Sequence, residues 1–431
     1  MPSSSSRPEH GSPAILGQRE PQPAAAVPPL YRNRDYALLW VGQTLSLVGS
    51  QSSWIAYPLL VLFLTGSAAK AGVVGFASWI PYVLFQLPAG ALVDRWDRKR
   101  TMLACDALRA LAVASIAVAL PLGWLSFWQL VAVAFVERTL SIFFEPAETV
   151  ALSRIVSSER LSEVVARNNA REYTASLIGP PLGGVLYGIS RLAPFAADAA
   201  SYVVSFFSVA ALRTPLAPEP VADRQPLRAV VKEGVQFIWR IPFLRDSALQ
   251  AAGTNVTWAS LALALIVVAR RHGASGAEIG AMFALMGVGG ILGSAASGPL
   301  LRRLSPRMLV LGSVWWWAAL VALLVTTANP FLLGAGAGAA LFLTPAWNGT
   351  VVGLRIRLTP NRLQGRVHAA EALLSFGARP FGLLLTGYLL DRIGGHVTIA
   401  VIAAWTLLIA IGSTLSPALR HPPATEARWE D

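Results

Sequence analysis

The stretch Gly72-Val-Val-Gly-Phe-Ala-Ser-Trp79-Ile-Pro-Tyr-Val-Leu-Phe-Gln-Leu-Pro-Ala-Gly90-Ala-Leu-Val93 holds no charged residue. It stops at Asp94-Arg95-Trp96-Asp97-Arg98-Lys99-Arg100, where six of seven positions carry charge. As a helix rising 1.5 Å per residue, such a run is long enough to cross a hydrocarbon layer about 30 Å thick, with its charged flank left in the headgroups. The pattern recurs along the chain. Apolar runs broken at Arg, Pro and Gly clusters predict helices near 36–65, 72–94, 101–120, 125–148, 168–190, 194–213, 246–270, 277–301, 307–328, 330–354, 366–390 and 396–416. The fold class is therefore all-α integral membrane, with twelve transmembrane helices.

Composition agrees. Of 431 residues, 54% are apolar and 13% charged, about half the ~25% of a soluble domain. The net charge of +12 does not form a nucleic-acid patch; it is spread in short clusters between the apolar runs. With the amino terminus inside, those clusters fall on one face: Arg95, Arg98, Lys99 and Arg100; Arg154, Arg160 and Arg167; Arg302, Arg303 and Arg307; Arg355, Arg357, Arg362 and Arg366. The other face keeps Lys70, Arg191, Arg270, Arg271 and Arg392. Loop basicity sets orientation, so both termini are expected in the cytoplasm. Arg far outnumbers Lys, as in high-GC bacteria, and the expected location is a bacterial inner membrane. The lone Cys105 excludes an intrachain disulfide and a cysteine metal site.

Residues 1–35 are expected to be a disordered cytosolic tail and 417–431 a cytosolic tail, flanking six-helix bundles at 36–213 and 246–416. The linker 214–245 contains Pro215, Pro218, Pro220 and Pro226, then an amphipathic stretch from Leu227 to Arg240 expected to lie on the inner leaflet. Internal similarity supports two halves. Gly90-Ala-Leu-Val-Asp-Arg and Gly298-Pro-Leu-Leu-Arg-Arg stand 208 residues apart; Pro181-Leu-Gly-Gly-Val-Leu-Tyr-Gly and Pro380-Phe-Gly-Leu-Leu-Leu-Thr-Gly stand 199 apart. Pseudo-symmetric bundles of this kind suit a transporter whose halves rock about a central site.

The Gly90 to Arg100 loop resembles the signature between helices two and three of the major facilitator superfamily. Gly90 is expected to permit close helix packing, Asp94 to meet a helix dipole and Arg98 to bridge to an acid, with Arg95 beside them. Asp97 stands where the family usually has a second glycine. Ile178-Gly179-Pro180-Pro181-Leu-Gly183-Gly184 resembles the fifth-helix element of exporters in the superfamily, and Phe144-Glu-Pro-Ala147, Asn168 and Gln364-Gly-Arg-Val367 resemble strings of its drug- and siderophore-exporter branch, the enterobactin-exporter and macrolide-efflux type. The likeness runs from Tyr36 to the twelfth helix. It implies a monomer without cofactor, driven by the proton gradient, with the fourth helix along a central cavity.

Ions inside spans cost about 2.5–3.5 kcal/mol each and point to partners or function. Asp106 and Arg109, one turn apart, read as a self-contained pair. Glu137 and Arg138 project about 100° apart and cannot pair face to face, so at least one needs a partner on another helix; with Arg379 they are candidates for substrate or coupling chemistry. Gln51, Trp54, Asn255, Trp258, Trp347 and Asn348 supply amides and aromatics suited to an amphipathic ligand. Glu145 and Glu148 are expected gate acceptors for Arg98. Glu172 and Glu371, each nine residues before an aligned proline, are candidate proton carriers. Asp198 reads as a helix-end group.

No Gly-Lys-Ser/Thr phosphate loop and no His-Glu-x-x-His helix occurs, so no enzyme is expected. The leading expectation is a secondary active transporter exporting a small organic molecule, such as a drug, antibiotic or siderophore, by proton antiport. Its partners are that molecule and the bilayer, and no nucleic acid. A lipid or lysolipid translocator of the same fold is the alternative, and a non-transporting receptor or scaffold a third reading.

Overall fold

The computed structural model describes residues 30–217 and 227–423. The expected tail through residue 29, the linker residues Pro218, Pro220 and Pro226, and the end of the chain from residue 424 lie outside the described residues. The first half holds α1 (Arg34–Thr65), α2 (Ala68–Val93), α3 (Arg98–Ala119), α4 (Phe127–Ile155), α5 (Leu161–Ile189) and α6 (Ala193–Ala210). A shorter α7 (Leu227–Arg240) precedes α8 (Pro242–Arg271), α9 (Gly276–Arg303), α10 (Pro306–Leu323), α11 (Pro330–Leu341), α12 (Thr344–Leu358), α13 (Gln364–Phe376), α14 (Arg379–Arg392), α15 (Gly395–Leu415) and α16 (Pro417–Arg420). No strand occurs among the described residues.

Among the described residues eleven helical segments, two of them assembled from α11 with α12 and from α13 with α14, are long and apolar enough to cross a bilayer. The twelfth expected span, in α5, falls short for a physical reason. Its first half carries Glu163, Arg167, Arg171 and Glu172, and its second half is diluted by Pro180, Pro181 and four glycines. It nevertheless packs along α1 on one side and α9 on the other.

Two expected spans are broken. The 330–354 span divides after Leu341 and the 366–390 span after Phe376. In each case the last residue before the break lies four positions ahead of a proline, Pro345 and Pro380, whose ring lacks the N–H and clashes with the carbonyl one turn back. Pro58, Pro81 and Pro146 sit inside unbroken helices, so proline locates a break without imposing it.

The pairing of helices repeats. In the first half α1 packs on α5 and α6, α3 on α6, and α2 on α4. In the second, α8 packs on α14 and α15, α10 on α15, and α9 on α11 and α12. The halves meet through α2 on α14 and α5 on α9, again a symmetric pair of contacts. These junctions depend on missing side chains. A Cβ on Gly183 would stand 2.1 Å from the Ser52 carbonyl oxygen of α1, and one on Gly184 2.5 Å from the Gly276 carbonyl oxygen of α9. The Gly179-Pro180…Gly183-Gly184 element is thus the surface on which α5 fits between the halves, with Pro180 buried. Across the other junction, a Cβ on Gly387 would stand 2.6 Å from the Ala68 carbonyl oxygen.

Inside the first half Asp106 and Arg109 form a buried pair at 2.6 Å. Ser205 Oγ donates to the second Asp106 oxygen at 2.5 Å and itself accepts from Gln43 at 2.6 Å, while the rings of Phe144 and Tyr202 each lie 4.6 Å from the guanidinium. The pair therefore ties α3 to α1, α4 and α6 rather than standing alone. The α7 helix spans the expected amphipathic stretch, Leu227–Arg240, and is anchored to the second half. Ile238 is buried in a cluster with Phe243, Val367 and Ala370, and Glu233 pairs with Arg366, so part of the apolar face packs on the second half while Trp239 stays exposed.

Replacing Asp106 by Asn is expected to destabilise the protein by about 3–5 kcal/mol, because Arg109 keeps its burial and loses its anion. Gly183→Val should cost about 1–3 kcal/mol by forcing α5 off α1. Thermal unfolding in detergent checks both, and an unchanged midpoint for either variant would contradict the packing described.

Candidate functional site

Trp79 near the middle of α2, Arg138 near the middle of α4, Asn255 near the middle of α8 and Arg379 at the α13–α14 break converge between the halves. Arg379 donates to the Asn255 side-chain oxygen. Its guanidinium lies 4.5 Å from the Trp79 ring centre and 4.6 Å from that of Phe376. Arg138, from the other half, lies 5.4 Å from the same Trp79 ring and 5.7 Å from Tyr82. Tyr82 and Phe376 meet edge to face at 5.7 Å. One aromatic cluster thus carries two guanidinium groups, one contributed by each half, at mid-span depth.

Glu137 and Arg138 separate as their spacing demands. Glu137 turns toward α1 and α6, accepting from Tyr57 Oη at 2.7 Å and Tyr202 Oη at 2.9 Å. Tyr202 shares a 2.8 Å bond with Ser50, and Ser53 donates to Asp198 at 2.5 Å. Asp198 is fully buried, which corrects its reading as a helix-end group: it begins the second turn of α6, where the hydroxyl-bearing face of α1 covers it. Arg138 turns the other way, to the half–half interface, 3.6 Å from Glu145.

The gate expectations fare differently. Arg98 does not reach Glu145 or Glu148. It is buried and donates to the Asp94 and Ala217 carbonyl oxygens, both at 3.1 Å, because its position at the first turn of α3 aims it at the chain leaving α6. Glu148 instead takes Arg171 at 2.9 Å. A Cβ on Gly90 would meet nothing within 4 Å, so the expected close packing there is absent. Asp94 ends α2, Arg95 is exposed, and Asp97 caps α3 by accepting from the Arg100 N–H at 2.8 Å. The departure from the family glycine thus has a local purpose.

Glu371 is ion-paired with Arg355 of α12, whereas its repeat mate Glu172 is exposed on α5. The two positions are equivalent in sequence and not in surroundings. Gln51 lies under Gly179. Trp54 packs edge-on to Phe283 of α9 and Trp258 to Trp317. Trp347 donates to Gln250 at 2.9 Å inside the second half, which removes it from the convergent group; Asn348 is exposed on α12.

Sequence reasoning missed Trp79, Tyr82 and Phe376, whose signal was aromatic residues flanking Pro81 and Pro380 in facing spans. It also missed a junction at the end remote from the termini. Asp391, at the end of α14, accepts from Ser67 Oγ at 2.6 Å and from the Ala68 and Ala69 N–H groups at 3.0 and 2.8 Å, and it pairs with Arg271 of α8 at 2.6 Å. A carboxylate of one half thereby caps the first helix turn of α2 in the other and closes that end.

Comparison with known proteins follows the same lines. Residues 24–429 match the transmembrane secretion effector family. The multidrug efflux pump Tap of Mycolicibacterium fortuitum is 28% identical over 396 residues, covering 86% of this chain and 93% of Tap. Macrolide efflux protein A of Streptococcus pyogenes is 26% identical over 189 residues, 44% of this chain and 47% of that protein. Among solved structures, an inward-facing bacterial homologue of the iron transporter ferroportin superposes with a TM-score of 0.69 at 17% identity, covering 89% of this chain and 98% of that one. With its paired bundles and its fifth-helix element in place, the chain belongs to the transmembrane secretion effector family of the major facilitator superfamily.

Proposed function

We propose that this membrane-embedded efflux transporter exports a small organic molecule by alternating access, powered by protons moving inward across a bacterial inner membrane with both termini cytoplasmic. The observation that carries this reading is the pair Arg138 and Arg379, which reach one aromatic cluster from opposite halves while the Ser67–Asp391–Arg271 junction closes the end away from the termini. A site shared by both halves changes shape when either half rocks, which is what differential affinity for two states requires. The relatives named as drug efflux pumps support the direction of transport.

Coupling is assigned to Glu137. It is held by two tyrosine hydroxyls on the residue before Arg138, so protonation would loosen the Tyr57 and Tyr202 bonds and turn the helix segment that presents Arg138. Glu371, neutralised by Arg355, and the exposed Glu172 are weaker carriers on this geometry. The lipid alternative finds support in an apolar groove of about 520 Å³ between α2 and α4, lined by Phe76, Ile80, Trp128 and Phe135, but the convergent site itself carries two charges that an acyl chain would have to bury.

In everted vesicles under an imposed pH gradient, offered a cationic, a neutral and an anionic dye in turn, Glu137→Gln is expected to cut proton-driven transport of whichever dye the wild type carries at least tenfold, with Glu172→Gln and Glu371→Gln keeping most of it. Full proton-dependent transport by Glu137→Gln would reject the assignment. Asp391→Asn removes a charge-assisted contact worth about 1.5–3 kcal/mol, so spin labels at the exposed positions 70 and 392 should gain a longer-distance population. An unchanged distance distribution would show that the junction does not hold that end shut.

A further inference from the structure

We infer that the midplane site takes an aromatic anion: a flat ring system bearing a carboxylate or a similar small acidic group, clasped between Arg138 and Arg379. This deepens the export reading by naming the substrate class, and it rests on that reading for the direction of movement only.

The argument begins with what Arg379 lacks. Among the described residues no carboxylate pairs with it; its contacts are the Asn255 amide oxygen and the faces of Trp79 and Phe376. An arginine at this depth is costly to hold, and desolvated cation–π contacts with two rings offset part of that cost. The rings make the cation tolerable and leave its charge uncancelled. Arg138 has Glu145 at 3.6 Å, beyond hydrogen-bond length, and that glutamate is half exposed. Both Arg138 and Arg379 keep an Nε–H buried and without an acceptor.

Counting charge at the site gives two guanidiniums against one loosely held carboxylate, since Glu137 is turned away into its tyrosine pair. The surplus is positive. A carboxylate placed there would collect the spare donors as charge-assisted bonds, while Trp79, Tyr82 and Phe376 would stack against or edge onto an attached ring. A cation in the same place would meet two like charges. Because one guanidinium belongs to each half, a bound anion also draws the halves together at mid-depth, and its release is favoured when they separate.

The test uses the full chain in nanodiscs and equilibrium dialysis of three probes with one ring system: 1-naphthoate, 1-naphthamide and 1-naphthylmethylamine, read by naphthalene fluorescence against empty nanodiscs. Saturable binding is expected for naphthoate, at least tenfold weaker binding for the amide, and none for the amine. Arg379→Gln and Arg138→Gln should each weaken naphthoate at least tenfold, and Arg379→Lys should restore part of the loss. Thermal midpoints of the variants separate loss of binding from loss of fold. Equal or tighter binding of the amine overturns the inference, as does unchanged naphthoate affinity in a folded Arg379→Gln. Displacement of naphthoate by lysophosphatidylglycerol but not by excess benzoate would overturn the aromatic anion in favour of a lipid headgroup. Vesicle efflux of ethidium alongside failure to bind naphthoate would sink this inference and leave the export reading standing; absence of efflux of both ethidium and naphthoate would sink the export reading instead.

Discussion

An ion held at mid-bilayer depth must be neutralised, hydrogen-bonded or wetted, and this chain satisfies that demand differently in its two halves. In the first half the acids are enclosed. Asp106 has Arg109 and Ser205, Glu137 has two tyrosines, and Asp198 has the serines of α1. Apart from the Asp106–Arg109 pair within α3, each bond crosses from one helix to another, so the same contacts that make the ions tolerable hold α1, α3, α4 and α6 together. At the interface the balance is reversed. Arg379 has ring faces and an amide where an acid would be expected, Arg138 has ring faces and only the loosely held Glu145, and it is there, between bodies that can separate, that the spare donors lie.

The separation of roles along α4 follows from helix geometry alone. Adjacent residues on a helix diverge by about 100°, so Glu137 serves the interior of its bundle while Arg138 serves the gap between bundles. In the proposed cycle this places the proton-binding and substrate-binding groups on one rigid segment without direct contact. A change in the hydrogen bonds of Glu137 is carried to Arg138 by rotation of that segment. No charge has to travel.

Much of the fold was legible because the bilayer makes hydropathy a strong signal: run lengths placed the helices, and the offsets between repeats placed the halves. The fifth helix escaped the length-and-hydropathy rule because the glycines and prolines that let it approach α1 and α9 also make it less apolar. The two broken spans were marked by Pro345 and Pro380 but not determined by them, since other prolines leave their helices whole. At the site, Glu137, Arg138, Arg379 and Asn255 could be singled out as polar groups in apolar surroundings. The aromatic cluster could not, because Trp and Phe are ordinary in membrane helices and only tertiary packing brings Trp79 beside Phe376. Likewise Arg98 was expected to bond an acid and bonds carbonyl oxygens; residue type announces a donor, whereas the acceptor is set by which chain segment leaves the neighbouring helix.

α2 gathers these constraints into one element. Its first turn is capped by Asp391 from the opposite half, its Gly72 touches Gly387, its middle presents Trp79 to both guanidiniums, and its end runs into the Asp94 loop. A rigid helix tied at one end and bearing the site at its centre acts as a lever: opening the Ser67–Asp391 end must uncap its amino terminus and, through the same body, shift Trp79 relative to Arg379. The cap and the site therefore cannot change independently. An anion that bridges Arg138 and Arg379 would oppose the parting of α2 from α14, so in the proposed cycle the outward step would need an opposing change on the Arg138 side. Glu137, one residue away and bonded to α1 and α6, is placed to supply it.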